Sequence, residues 1–201
     1  PDVMATSPAS LTVPVALPVA PDVADHAIAG KATVPAVALL ELLVRTVANK
    51  RGWAALPLPL AMRDVVFPRF LPAEEVPLCT FEVTLETSGK ATLATLTSRI
   101  AFASGMRRAR VHAQAELAPA AEAFPPAPPV FACDFEVPAQ RIYRELIPFW
   151  PRYRNLHGRI GLGRGGGTAW ARSPDPPEVP PPIGGCPFLL DAALHLACLA
   201  L

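Results

Sequence analysis

Residues 35–49 limit the fold more than any other stretch of this chain. They read as a helix, because Pro35 suits the first helical position, where a missing N–H costs nothing, and Gly52 suits a stop. The charged and amide side chains, Glu41, Arg45 and Asn49, recur every four residues and form one thin stripe. The rest of the surface is almost wholly apolar, so protein must wrap this helix on most sides.

The segments around it supply the wrapping. Phe81, Val83 and Leu85 alternate with Glu82, Thr84 and Glu86, the period of a half-buried strand. Ser88-Gly89 is a turn signal, residues 90–103 are long and threonine-rich, and Ser104-Gly105 turns again. Val111, Ala113, Ala115 and Leu117 then alternate with His112, Gln114 and Glu116, which places His112 on the polar face at the surface. Residues 58–67 read as a further strand. Residues 11–17 read as an edge strand, where Pro14 is tolerable. A long buried helix followed by an antiparallel meander is a sheet wrapped round a helix.

Proline is abundant, 26 of 201 residues, or about 13% against a usual ~5%. Five prolines fall between residues 118 and 130 and read as a semi-rigid extended linker. Beyond it come a short helix (139–146), strands at 156–162 and 167–171, a proline-rich loop (173–187) and a second nearly all-apolar helix (188–201), whose polar members are Asp191 and His195. The order partly recurs. Two related modules follow, over residues 1–118 and 131–201, joined by the 119–130 linker. The second reaches its buried helix and stops. These residues are therefore expected to be an incomplete catalytic unit, with the missing strands in a longer parent chain or on another polypeptide; the first residue, Pro1, fits a piece of a longer chain.

Composition removes several function classes. Charged residues are 17% and the formal net charge is +1, and the longest basic cluster is Arg107-Arg108-Ala109-Arg110, so the footprint of nucleic-acid binding is missing. The longest apolar run, residues 34–44, is broken by Glu41 and falls far short of a membrane span. The four cysteines, Cys79, Cys133, Cys186 and Cys198, have no Cys-x-x-Cys spacing, and no metal site is expected. Free thiols in a reducing cytoplasm are the reading adopted.

Two constellations carry chemistry. In residues 25–35 an imidazole, His26, precedes the buried helix, with Gly30 and Pro35 between. Glycine permits close approach of a ligand or backbone, and the helix N-terminus offers unpaired N–H groups to an oxygen gaining charge. Histidine takes up a proton near neutral pH. In the second, Asp191 and His195 stand at i and i+4 on one helical face. A carboxyl in so apolar a helix is either paired or neutral. A helix-start aspartate with a satisfied neighbouring histidine is the structural alternative.

These residues resemble a known family. His26, Gly30 and Pro35 reproduce the His-x3-Gly-x4-Pro motif of polyketide synthase dehydratase domains, and residues 187–195, Pro-Phe-Leu-Leu-Asp-Ala-Ala-Leu-His, resemble their Asp-x3-Gln/His motif. The wording of residues 25–31 looks most like dehydratase-like domains of polyunsaturated-fatty-acid and iterative polyketide synthases. The resemblance covers nearly the whole chain and implies an α+β double hotdog, with the second hotdog incomplete here. It implies dehydration of a 3-hydroxyacyl thioester on acyl carrier protein, with His26 as base and Asp191 as acid. Gly30, Pro35, His195, Trp150, Pro151 and Tyr153 would bind substrate, and Leu39, Leu43, Phe188 and Leu190 would line the acyl chain. The cofactor need is none beyond the phosphopantetheine arm that carries the substrate. Partners are the carrier protein and neighbouring synthase domains, with room for a homodimer, in the cytoplasm.

One departure stands out. The family's Tyr-Gly-Pro or His-Gly-Pro signature reads Phe149-Trp150-Pro151 here, so Trp150 replaces a glycine and is expected to narrow the pocket. The competing readings are a dehydratase-like scaffold without turnover and a hotdog thioesterase. Gly161-Leu162-Gly163-Arg164-Gly165-Gly166 fits a nucleotide fingerprint only formally, because a strand follows where a helix is needed. His157, beside Gly158, reads as a surface residue, and no Gly-x-Ser-x-Gly elbow exists.

Overall fold

The computed structural model describes residues 9–52, 60–101, 106–120, 132–147, 149–164, 166–174 and 186–199. The expected linker beyond residue 120 and most of the 173–187 loop lie outside the described residues. The chain divides into two compact units, each discontinuous in sequence. One holds Pro1–Pro18, Leu42–Phe70 and Glu75–Phe124; the other holds Val19–Glu41, Leu71–Glu74 and Pro125–Leu201. This differs from the expected division at residue 118. Residues 19–41 belong with the C-terminal unit, where Asp22 and Asp25 bond to residues 150–152.

In the first unit, β1 (Ala9–Val15), β4 (Leu60–Val66), β5 (Thr80–Ser88), β6 (Ala91–Ala101) and β7 (Arg107–Pro119) form an antiparallel sheet in the order β1-β5-β6-β7-β4. The expected edge strand is at the edge, with Pro14 opposite Glu82. Helix α1 (Ala36–Arg51) contributes its residues from Leu42 onward to this unit. Leu43 and Val47 are as completely buried as Val83, Leu96, Ala113 and Leu117 on the strands. Arg51, in the last turn of α1, donates from Nε to Thr92 Oγ1 (3.0 Å) and from its terminal nitrogen to the Gly89 and Ala91 carbonyls, which fastens the helix end to the β5–β6 turn.

The placement of His112 at the surface is wrong. Leu96 pairs with Ala113 and Thr97 with Val111, so His112 is the extra residue of a β-bulge. The bulge breaks the two-residue alternation and turns the ring inward. His112 is 1% exposed, and its Nε2 lies 2.8 Å from Ser98 Oγ. His157 is exposed, as read from sequence.

In the second unit, β8 (Phe135–Pro138), β9 (Leu156–Gly163) and β10 (Gly166–Ala171) pair in the order β10-β9-β8. Helices α2 (Ala139–Glu145) and α3 (Pro187–Leu199) share a core with them, built on Ile142, Tyr143, Leu156, Ile160, Leu162 and Ala192. The glycine run is a packing device. A Cβ on Gly167 would lie 2.7 Å from Leu196 Cδ1 of α3, and one on Gly163 would lie 2.8 Å from the Ala132 carbonyl oxygen. The outward face of α3, with Leu189, Ala193, Ala197 and Cys198, is exposed, as expected of a helix with few strands round it. A short hairpin of β2 (Ala27–Ile28) and β3 (Lys31–Ala32) completes the unit.

Among the described residues, the four cysteines are free, and no helix is long and apolar enough to cross a membrane. No cluster of three or more His, Cys, Asp or Glu residues that could hold a metal occurs among them.

Candidate active site

The spacing from His26 to Gly30 is that of a tight hairpin. Ala27 pairs with Ala32 and Ile28 with Lys31, leaving Ala29 and Gly30 as the two turn residues. Both have positive φ, +50° and +77°, the backbone of the turn that matches strand twist and favours glycine. Gly30 is exposed, and a Cβ there would touch nothing, so its φ alone accounts for the glycine. The same register sets His26 against Thr33. The Thr33 N–H donates to the His26 carbonyl (2.9 Å), and His26 Nδ1 lies 2.9 Å from the Thr33 carbonyl oxygen.

A carbonyl oxygen only accepts, so Nδ1 carries the proton and Nε2 keeps its lone pair. His26 is 5% exposed, and burial lowers its pKa, with the Thr33 bond opposing. At neutral pH it is a neutral imidazole with a fixed tautomer. Pro35 is buried, and its carbonyl accepts the Ala38 and Leu39 N–H groups that open α1.

Asp191 and His195 face the core of the same unit from α3, at 3% and 8% exposure. Burial raises the Asp191 carboxyl to about 7. Burial, with help from the nearby His26, lowers His195 to about 4. Asp191 Oδ2 and His195 Nε2 are 3.2 Å apart, yet Oδ2 has no hydrogen-bond partner among the described residues, and neither has His195 Nδ1. The angles are wrong for a hydrogen bond, and a neutral imidazole forms no salt bridge. We read this pair as an uncharged contact between about pH 4 and 7.

Aromatic rings join the two constellations. The Phe149 ring lies 4.3 Å from His26 and 5.1 Å from His195, centroid to centroid. Tyr153 meets His26 edge-on at 5.0 Å and Phe188 at 5.4 Å. Burial, then the Asp22 and Asp191 carboxylates, raise the Tyr153 phenol, which stays protonated. Tyr143 packs edge-on to His195 at 6.3 Å, and its oxygen accepts the Leu156 N–H at 2.9 Å. Phe149, Tyr143 and the Thr33 carbonyl were missed in the sequence. The signature stretch 149–153 was the available signal for Phe149.

Other expected site residues lie elsewhere. Trp150 is 61% exposed, so its ring does not narrow the site. Its φ of −81° and ψ of 170° suit any residue, which removes the conformational need for glycine. Its N–H donates to the Asp25 carbonyl (3.0 Å), and Pro151, itself exposed, opens the 3-10 turn Pro151–Tyr153, which ends on the buried Tyr153. Leu43 is fully buried in the first unit and Leu39 is 2% exposed, so neither offers a lining surface, whereas Phe188 and Leu190 are half-buried. A cleft of about 280 Å³ beside Tyr143, Arg154 and His157 includes neither His26 nor Asp191.

Comparison of the sequence with protein-family models and with curated proteins finds no match. Solved structures do match. The dehydratase domain from the CurJ module of curacin polyketide synthase superposes with a TM-score of 0.70 at 18% identity, over 100% of this chain and 70% of that one. The CurF dehydratase domain of the same synthase gives 0.62 at 15% identity, over 100% and 73%. The PpsC dehydratase domain from Mycobacterium tuberculosis gives 0.64 at 15%, over 93% and 66%. The chain thus carries the double-hotdog fold of polyketide synthase dehydratase domains, its second hotdog represented by a partial sheet.

Proposed function

We propose that this chain dehydrates a 3-hydroxyacyl thioester, carried on the phosphopantetheine arm of acyl carrier protein, to a trans-2-enoyl thioester and water. The observation that carries the reading is the pairing of two neutral groups of opposite role. His26 presents a free Nε2 lone pair, and Asp191 holds its proton up to about pH 7. A thioester α-proton is weakly acidic, so elimination needs a base at carbon 2, an acid at the departing oxygen and donors for the carbonyl.

His26 Nε2 takes the α-proton as the carbon–carbon double bond forms. The 3-hydroxyl leaves with the Asp191 proton as water. The reaction leaves an imidazolium and a carboxylate, and a proton passing from one to the other restores both. The Gly30 amide and the first amides of α1 are the donors we assign to the thioester oxygen, and His195 stands beside Asp191 as an uncharged neighbour. In the CurJ dehydratase, an inactive mutant carries phenylalanine in place of a histidine, which supports a histidine-dependent reaction on this fold. The competing reading of a scaffold without turnover rests on Trp150 and the missing glycine, and the exposure of the Trp150 ring weighs against it.

Mass spectrometry of a 3-hydroxyacyl carrier protein incubated with the chain tests the proposal. Loss of one water supports it. A released acid would indicate a thioesterase, and an unchanged acyl group a domain without turnover.

A further inference from the structure

We propose that Arg152 is a positioning residue that ties the His26 segment to the Asp191 helix; this rests on the dehydratase reading for its consequence, though not for its geometry. One side chain contacts both halves of the site. Arg152 Nε donates to Asp22 Oδ2 at 2.8 Å, and its guanidinium carbon stands 5.5 Å over the Phe188 ring. Asp22 belongs to the 3-10 turn Pro21–Asp25 that runs directly into His26, and Phe188 lies one turn before Asp191 on α3.

The backbone reinforces the tie. The Arg152 N–H donates to Asp25 Oδ2 (3.4 Å), and the neighbouring Trp150 N–H donates to the Asp25 carbonyl. Tyr153, the next residue, touches both His26 and Phe188. The base sits on a two-residue-stranded hairpin and the acid on a helix. No direct hydrogen bond between the two is among those described, so their spacing depends on what bridges them.

Only arginine fits both contacts. Its planar fork gives a directed N–H to a carboxylate while its flat face lies on a ring, and lysine offers a point charge that does neither as well. The ion pair is partly exposed, with side chains 40% and 21% accessible, so its effect is on geometry more than on global stability. A small misplacement of catalytic groups lowers the rate strongly.

The test uses the full chain and the variants Arg152→Gln, Arg152→Lys and Asp22→Asn. An exposed ion pair and a cation–π contact are each worth a few-fold, together about tenfold. Amides of residues 22–34 and 187–195 should exchange about tenfold faster in Arg152→Gln, while those of α2 and β9 in the same unit keep their rates. The kcat for elimination should fall about tenfold with KM within about twofold, because substrate contacts are intact. Arg152→Lys should recover only part of the loss. Asp22→Asn should add little to Arg152→Gln, since both break one contact. Faster exchange in only one segment, a uniform rise across the unit, or an unchanged kcat would overturn the proposal. If the unaltered chain eliminates no water, the dehydratase reading falls, and the tie is decided by the exchange pattern alone.

Discussion

Replacing Asp191 by asparagine should stabilise the protein at neutral and alkaline pH while abolishing elimination. The folded carboxyl titrates at about 7 against 3.8 for an exposed aspartate, a difference of about three units. Each unit is about 1.36 kcal/mol, so the linked stability is about 4 kcal/mol. Its direction follows from where the proton resides. Below about pH 4 both states hold it, and pH has no effect through this group. Between about 4 and 7 only the folded state holds it, so raising the pH favours unfolding by about 1.36 kcal/mol per unit. Above 7 the loss is complete.

Asparagine keeps the shape and carries no titrating proton, so it escapes this loss. His195 works in the opposite sense. Burial lowers it from 6.5 to about 4, so its protonation favours the unfolded state as pH falls below 6.5, and stability is regained as pH rises through that window. In the unaltered chain the two trends offset each other between about pH 4 and 6.5, and only the difference between variant and parent isolates Asp191. Urea unfolding at pH 4, 5, 6, 7 and 8, extrapolated linearly to water, gives that difference. It should grow by about 4 kcal/mol in favour of Asp191→Asn from pH 4 to pH 8. A difference that stays flat across this range would show that Asp191 is an ordinary ionised carboxylate, and the assignment of an acid to it would fall.

Three further outcomes follow from the geometry. His26→Ala should lower the elimination rate by about 10²–10⁴-fold with the fold retained, measured as enoyl product by mass spectrometry; near-full turnover would remove His26 from the reaction. Trp150→Gly should leave both the rate and the acyl-chain profile unchanged, because the ring is largely in solvent; a broadened profile would place it in the substrate path. Gly163→Ala should destabilise by about 1–3 kcal/mol, since the new methyl meets a backbone oxygen at 2.8 Å, whereas Gly167→Ala should cost less, because the Leu196 Cδ1 it meets can rotate away. Thermal unfolding of the two variants gives the ranking, and equal midpoints would contradict it.

The legible parts of the fold were those with an unbroken period. The alternation at Phe81, Val83 and Leu85 is the buried face of β5, and the four-residue stripe on α1 matches the exposure of Arg45 and Asn49. His112 was misplaced by the same rule, since alternation counted from Leu117 assumes that each residue of β7 has one partner on β6. A bulge is a matter of pairing between strands, and nothing within residues 111–117 announces it. The four residues of β8 were likewise invisible, being too short for a period and identified only by pairing with β9. Residues 19–41 cluster with the C-terminal residues because contact, not adjacency in sequence, decides compactness.

The site divides along the same line. Residue types marked His26 and Asp191 as candidates and the family resemblance singled them out, because a hairpin and a helix are local and each motif is the sequence trace of one such element. What would suit the two groups to the proposed roles of base and acid is not local. An imidazole and a carboxyl at their ordinary values would be, near pH 7, a mostly neutral base facing an ionised carboxylate with no proton to give. Burial reverses the second of these, lifting Asp191 to about 7, and the Thr33 carbonyl fixes the tautomer of the first. Burial acts in a core where Tyr143, Phe149 and Tyr153 pack against His26 and His195, and the tautomer follows from the hairpin register that sets His26 against Thr33. The proton on Asp191 therefore rests on its burial as much as on its place in the helix, and a substitution that admits water beside the carboxyl is expected to ionise it at neutral pH without touching either motif.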